Sequence, residues 1–206
     1  MDKGRLFIVS AASGTGKSSL IRESLESISP CELSVSYTTR LPREGEEHGK
    51  HYFFVSKEEF KEIESKGDFL EHAIVHGNHY GTSKSSTEQK LSAGISLILE
   101  IDVQGYEQIL NHHLDHTSIF ILPPSFDDLK TRLRDRGSND EASIELRLEN
   151  AKGELSKAHL YHHLLINDNF QDCLDSFLAI LGGSHQQDSN ENKEIFLEKL
   201  LSSWGK

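Results

Sequence analysis

An α/β fold, with a parallel sheet core flanked by helices, is the class the sequence predicts, and three observations carry it. Short apolar clusters recur along the 206 residues with helical patterns between several of them. A strand pattern runs through a glycine-rich turn into a helix start in RLFIVSAASGTGKSSL, residues 5–20. Helix-start signals also fall where that alternation needs them, at Ser56-x-x-Glu59 and Ser125-x-x-Asp128.

Taken in order, LFIVS (6–10), ELSVSY (32–37), HYFFV (51–55), FLEHAIV (69–75), ISLILEID (95–102), SIFIL (118–122) and HLLIND (163–168) read as strands. SSLIRESLESI (18–28) places Leu20, Ile21, Leu25 and Ile28 on one helical face, and SFDDLKTRLRDRG (125–137) has Leu129 and Leu133 four apart. Strands alternating with helices imply parallel pairing with both faces covered. Two regions depart from the alternation. Residues 36–82 are richer in strand pattern, with one short helix at 57–66, and suggest a small side unit. GSNDEASIELRLEN (137–150) is polar and bears an arginine, as a mobile cover would. Beyond them GGSHQQDSNEN (182–192) reads as a flexible linker and EIFLEKLLSSW (194–204) as an amphipathic helix, packed on the body or on a neighbouring chain, which leaves a homo-oligomer open. There is no internal repeat.

Composition narrows the function classes. A net charge of −11 argues against a nucleic-acid surface, since duplex binding needs a broad basic face. No run of about 18 apolar residues exists to cross a bilayer, and MDKGRLFIVS passes into a strand pattern without a signal-peptide layout. A cytoplasmic protein is expected. Cys31 and Cys173 match no metal or redox spacing and are expected to be buried free thiols. The histidine pairs His112-His113 and His162-His163 lack the i, i+4 spacing that aims two imidazoles at one metal.

The segment Ala11-Ala12-Ser13-Gly14-Thr15-Gly16-Lys17-Ser18 fits the P-loop pattern except at its first position, where alanine replaces glycine. Gly14 and Gly16 can bring backbone N–H groups up to a phosphate, Lys17 supplies a compact positive charge, and the Ser18 hydroxyl suits Mg²⁺. The following helix adds its N-terminal dipole. Such a loop normally works with an acidic residue at the end of a neighbouring strand. In ISLILEID, Glu100 and Asp102 are two apart and so share a face. Asp102 is the candidate for holding Mg²⁺ through water; capping the next helix, VQGYEQIL, is the alternative for either residue. Arg40 and Arg43 bracket a proline and form a fork suited to a second phosphate, with the Tyr52 and Tyr80 hydroxyls at the same kind of site. An ion-pair cluster with Glu44, Glu46 and Glu47 is the plainer reading of those arginines.

With SAASGTGKSSL, VSYTTRLPREGE, GKHYFF, FLEHA, GNHYGTS, LEIDVQG, FILPPSFDDLKTRLRDRG and the terminal IND in place, the chain resembles guanylate kinase from about residue 4 to 181. The resemblance implies a P-loop parallel sheet core (1–35, 84–136 and 155–181) carrying a small mixed α/β nucleotide-monophosphate-binding insert (36–83) and a helical lid (137–154). It implies phosphoryl transfer from ATP, with Mg²⁺, to GMP and also dGMP. Residues 11–19 and Asn167 would hold ATP. Arg40, Arg43, Tyr52 and Tyr80 would bind the GMP phosphate, with Glu46 bracing the arginines; Ser36, Glu71 and Thr82 would read guanine, and Gly81, Glu100 and Asp102 would complete that site. Lys17, Arg40, Arg43, Arg132, Arg136 and Arg147 would neutralise the phosphates during transfer. Alanine stands at position 12 where relatives carry proline, and YHHLLIND replaces a YDYVIVND-like stretch; neither change removes a charged or guanine-reading group. Two rivals share the architecture: a P-loop kinase for another acceptor, and a kinase-like module that only binds protein. The first should lack the serine, glutamate and threonine, and the second the phosphate loop.

Overall fold

The computed structural model of the chain describes residues 3–75, 77–112, 114–135, 141–184 and 190–204. It divides into two compact units, one made of Met1–Leu6 with Pro30–His116, the other of Phe7–Ser29 with Thr117–Lys206. A five-stranded sheet has the order β2-β7-β1-β8-β9, where β1 is Leu6–Ala11, β2 Cys31–Leu33, β7 Ser96–Glu100, β8 Thr117–Leu122 and β9 His163–Ile166.

In the second unit β1, β8 and β9 pair in parallel, with Val9 opposite Ile119 and Ile121 opposite Leu165. β1 is buried along its whole length, which is why LFIVSA runs apolar without alternation. The helices around these strands are α1 (Lys17–Ser27), α5 (Phe126–Asp135), α6 (Glu141–Ser156), α7 (Phe170–Gly182) and α8 (Asn190–Ser202). Leu20 and Ile21 of α1, Leu129 and Leu133 of α5 and Phe177 of α7 are buried, matching the apolar stripes of their sequences. Each such side chain contributes about 1.5–3 kcal/mol on burial. The 125-x-x-128 signal is a working cap: Asp128 N–H donates to Ser125 Oγ at 3.0 Å.

The polar stretch 137–150, read as a cover and by the resemblance as part of a helical lid, is helical from Glu141, and the helix continues to Ser156. Ile144, Leu148, Ala151 and Leu155 supply a buried i, i+4, i+7, i+11 stripe that runs past the polar stretch into residues beyond it. The C-terminal helix spans Asn190–Ser202 rather than 194–204, and the linker reading for 182–192 falls partly on residues 185–189, outside the described set. The helix packs on its own unit: Leu197 and Leu200 are buried, and Trp204 meets Phe126 edge-on at 4.8 Å between ring centres.

The first unit contains the parallel pair β2 and β7 and a second sheet of order β4-β3-β6-β5, formed by β3 (Tyr37–Thr38), β4 (Phe53–Phe54), β5 (Phe69–Val75) and β6 (Asn78–Ser83). ELSVSY, expected as one strand, is two: Cys31–Leu33 joins β7, and Tyr37–Thr38 joins the mixed sheet. The three residues between them let the chain change sheets. β6 was not among the expected strands, because NHYGTS lacks an apolar alternation; its backbone pairing with β5 along Glu71–Thr82 to Val75–Asn78 supplies what the side chains do not. Helices α2 (Lys57–Ser65), α3 (Lys84–Ser92) and α4 (Val103–Leu110) complete the unit. α2 opens with a full capping box, Ser56 and Glu59 each satisfying the other's backbone N–H. Phe60 of α2, fully buried, stacks on Phe69 at 4.5 Å. Of the two thiols, both free, Cys173 is buried as expected but Cys31 is only partly so, because it opens the short strand β2.

Candidate active site

The second unit builds the phosphate grip. β1 ends at Ala11 in extended backbone, so the alanine at the pattern's first position meets no conformational demand for glycine. Gly14 and Gly16, by contrast, have φ of 94° and 93°. A Cβ on Gly14 would lie 3.1 Å from Leu133 and 3.2 Å from Leu129, and one on Gly16 would lie 2.6 Å from Asn167 Nδ2. The loop is closed by Thr15, whose N–H and hydroxyl both donate to Ala12 O, at 3.3 and 2.9 Å. Asn167 Nδ2 donates to Thr15 O at 2.6 Å, and Arg132 donates to Asn167 O at 3.1 Å. Asn167, expected from the resemblance to touch the ATP adenine region, is in this structure a brace that ties the loop to the Arg132 guanidinium.

α1 begins at Lys17 with Gly16 as its cap residue, no side-chain cap and no acid in its first turn. An anion is the natural partner for amides left in that state. Gly14, Gly16, Ser19, Arg132, Asp135, Asn167, Asp168 and Phe170 line a cleft of about 330 Å³ beside it. From α6, Arg147 donates to Ser13 Oγ at 3.1 Å, and Glu154 Oε2 accepts from Ser13 N–H at 3.3 Å. Arg147 therefore stands at the loop; Glu154 was not foreseen, since nothing in its sequence spacing pairs it with residue 13. Arg136 lies outside the described residues.

The first unit builds a second site. Ser36, Tyr52, Glu71, Ala73, Val75, Tyr80, Glu100, Ile101 and Asp102 line a cavity of about 150 Å³. Thr82 Oγ1 donates to Glu71 Oε1 at 2.5 Å and lies 3.5 Å from Ser36 Oγ, so serine, threonine and glutamate form one chain of polar groups. Glu71 is only 6% exposed, and burial raises its carboxyl from an ordinary 4.5 to about 7 against the Thr82 hydrogen bond, with the Asp102 charge adding to the rise. Glu100 and Asp102 both face the cavity, as their spacing predicts. Asp102 also caps α4, its Oδ1 accepting from Gly105 N–H at 2.8 Å. Gly81 does not line the cavity: it pairs within β6, and a Cβ there would meet the Phe69 ring at 2.9 Å.

At the rim, Arg40 is held by both Glu46 oxygens at 2.9 Å, while the Arg43 N–H donates to Glu46 at 2.7 Å. The Arg40 guanidinium holds the Glu46 carboxyl down at about 2. Arg40 also stacks 5.5 Å above the Tyr52 ring, and Tyr52 meets Tyr80 edge-on at 6.0 Å. Of the ion-pair cluster given as the plainer reading, the Arg40–Glu46 pair exists, and it presents a braced guanidinium beside two tyrosines.

A glycine-rich loop feeding an uncapped helix start, in a sheet of this order, defines a P-loop nucleotide-binding protein. The sequence profile of the guanylate kinase family matches residues 3–182. The guanylate kinase of Escherichia coli K12 is 45% identical over 206 residues, covering 98% of this chain and all of that one. That of Thiobacillus denitrificans is 48% identical over 177 residues, covering 86% of this chain and 85% of its own. The crystal structure of guanylate kinase from Anaplasma phagocytophilum superposes with a TM-score of 0.70 at 30% identity, covering 94% of both chains. The chain belongs to the guanylate kinase family, the ATP:GMP phosphotransferases. Similarity to the E. coli protein extends into the C-terminal helix, beyond the residue 181 at which the motifs stop.

Proposed function

We propose that the P-loop unit holds ATP and the cavity around Glu71 holds GMP, whose phosphate accepts the transferred group. The observation that supports this most directly is the buried Glu71–Thr82–Ser36 chain. Guanine offers N1–H and N2–H donors to a carboxylate and an O6 acceptor to a hydroxyl; adenine offers neither donor at those positions and an amine in place of O6. A site whose buried polar groups would be left unpaired by the wrong base can discriminate by roughly 10⁴-fold. Two donors from guanine would also favour the ionised form of Glu71.

Phosphoryl transfer asks the protein for alignment and charge neutralisation rather than covalent chemistry. The amides at the start of α1 and the Lys17 ammonium cradle the β and γ phosphates. Arg132 and Arg147 bring charge to the same phosphates, and Arg136 is assigned with them by sequence alone. Arg40, with Tyr52 and Tyr80, binds the GMP phosphate; Glu46 holds the fork of Arg40 and Arg43 in shape.

Among the described residues no three His, Cys, Asp or Glu side chains gather into a metal site. The Ser18 hydroxyl and the Asp102 carboxylate are oxygen donors, the chemistry of an oxygen-seeking ion held mainly by phosphate, which fits Mg²⁺. Mg²⁺ bound with ATP would supply charge neutralisation for the phosphates. Asp102 would serve it through water, with Oδ1 engaged by the helix cap. No helix among the described residues is long and apolar enough to cross a membrane.

The test is a coupled ADP-release assay with ATP, Mg²⁺ and, separately, GMP, AMP, CMP and UMP. ADP formed with GMP alone is expected. Turnover with another acceptor would overturn the guanine assignment, and no turnover with any would favour the binding-module alternative.

A further inference from the structure

Glu71 is crowded from a side that nucleotide binding does not explain. Helix α4 passes against β5 with Gly105 at the contact: a Cβ at 105 would lie 2.8 Å from Glu71 Oε2, 3.3 Å from Cδ and 3.4 Å from Cγ. The carboxylate has little room to yield, because Thr82 holds Oε1 from the other side at 2.5 Å and the residue is buried. Gly105 does not have a left-handed φ, so the backbone makes no demand for glycine. It occupies the third position after the Asp102 cap, where a capping box would place glutamate or glutamine. The space such a side chain would start into is filled by Glu71 from another element.

One turn along the same face, Gln108 fastens the neighbouring residue of β5. His72 N–H donates to Gln108 Oε1 at 3.0 Å, and Gln108 Nε2 donates to His72 O at 2.9 Å. Residues three apart on a helix share a face. The clasp on the His72 backbone and the gap at Gly105 therefore act on adjacent residues of one strand, fixing its separation from the helix and the position of the Glu71 carboxylate.

Resting on the reading that Glu71 receives guanine, we propose that Gly105 and Gln108 are positioning residues that set base selectivity: the missing Cβ and the amide clasp define where the Glu71 carboxylate stands. Neither touches substrate. Their effect passes through Glu71 to the two guanine N–H groups, so it falls on the nucleobase and spares ATP.

The experiment compares Gly105→Ala, Gln108→Ala and Glu71→Ala, with Gly105→Ala also placed in the Glu71→Ala background. GMP, IMP and ATP kinetics and melting temperature are measured for each. IMP lacks the 2-amino group and so tests one of the two carboxylate contacts. Gly105→Ala is expected to raise the GMP KM by about ten- to a hundredfold, leave the ATP KM within about twofold and lower the GMP/IMP ratio of kcat/KM. In the Glu71→Ala background it should add nothing. Alanine is the better helix former, so a role confined to helix stability would raise the melting temperature and leave selectivity alone. Unchanged GMP/IMP selectivity in Gly105→Ala, or an equal effect without Glu71, overturns the inference while the Glu71 reading stands. An unchanged GMP KM in Glu71→Ala overturns both. Should Gly105→Ala fail to fold, Gln108→Ala decides: a reduced GMP/IMP ratio supports the inference and an unchanged one refutes it.

Discussion

Replacing Glu71 with glutamine removes a charge while keeping the shape and an acceptor for the Thr82 hydroxyl. Burial lifts this carboxyl from 4.5 to about 7. The sign follows from linkage: the folded protein keeps a proton that the unfolded chain has lost, so the group's contribution to stability is fully present below about pH 4.5 and is lost as pH rises through about 7. At 1.36 kcal/mol per pH unit that loss is about 3 kcal/mol. Glutamine undergoes no such loss. Glu71→Gln should therefore be the more stable protein at pH 8, by roughly 5–10 °C in melting temperature for a chain of this size, with the advantage gone near pH 4.5. The same variant offers guanine one acceptor and one amide in place of two acceptors, and its GMP KM should rise about 100-fold with ATP little affected. Thermal melts at pH 5 and 8, read beside the coupled assay, test both halves. A melting difference independent of pH would refute the burial account, and an unchanged GMP KM would refute the base reading. In the unmodified protein kcat/KM for GMP should fall below pH 7 by up to about tenfold per unit. The GMP phosphate also titrates near pH 6; the Glu71→Gln profile isolates its share.

Other outcomes are equally definite. Lys17→Ala should lower kcat by at least about 10³-fold with an unchanged circular dichroism spectrum, since the role proposed for the lysine is to neutralise phosphate charge; substantial remaining turnover would remove it from the mechanism. Glu46→Gln should raise the GMP KM about tenfold by releasing Arg40. The Glu46 carboxyl, held at about 2 by Arg40, contributes stability above its ordinary 4.5 that is lost only as pH falls toward 2, so melts at pH 7 should show the variant destabilised. Phe60→Ala removes a fully buried ring stacked on Phe69 and should cost about 3–5 kcal/mol in chemical denaturation; a loss under about 1 kcal/mol would mean that the packing of the mixed sheet does not depend on it.

Local chemistry alone carried the phosphate loop, because glycines at 14 and 16, the lysine and the serine act through backbone geometry and charge within eight residues. The same is true of the Ser56 and Ser125 caps, of the apolar β1 and of the shared face of Glu100 and Asp102. Their rules are short-ranged, so spacing suffices. Long-range partners decided the rest. β6 forms through its pairing with β5 despite a polar sequence, and ELSVSY divides between two sheets. Gly81 makes room for Phe69 and Asn167 braces Thr15, each through a neighbour on another element, whereas the Asp102 cap of α4, three residues from Gly105, was open to reading from the sequence. Glu71 is a plain glutamate in the sequence; only its burial against Thr82 and Gly105 raises its carboxyl toward neutrality and aims it into a cavity. Those properties depend on the low dielectric and fixed contacts of a folded interior, which exist only once elements far apart in the chain have packed.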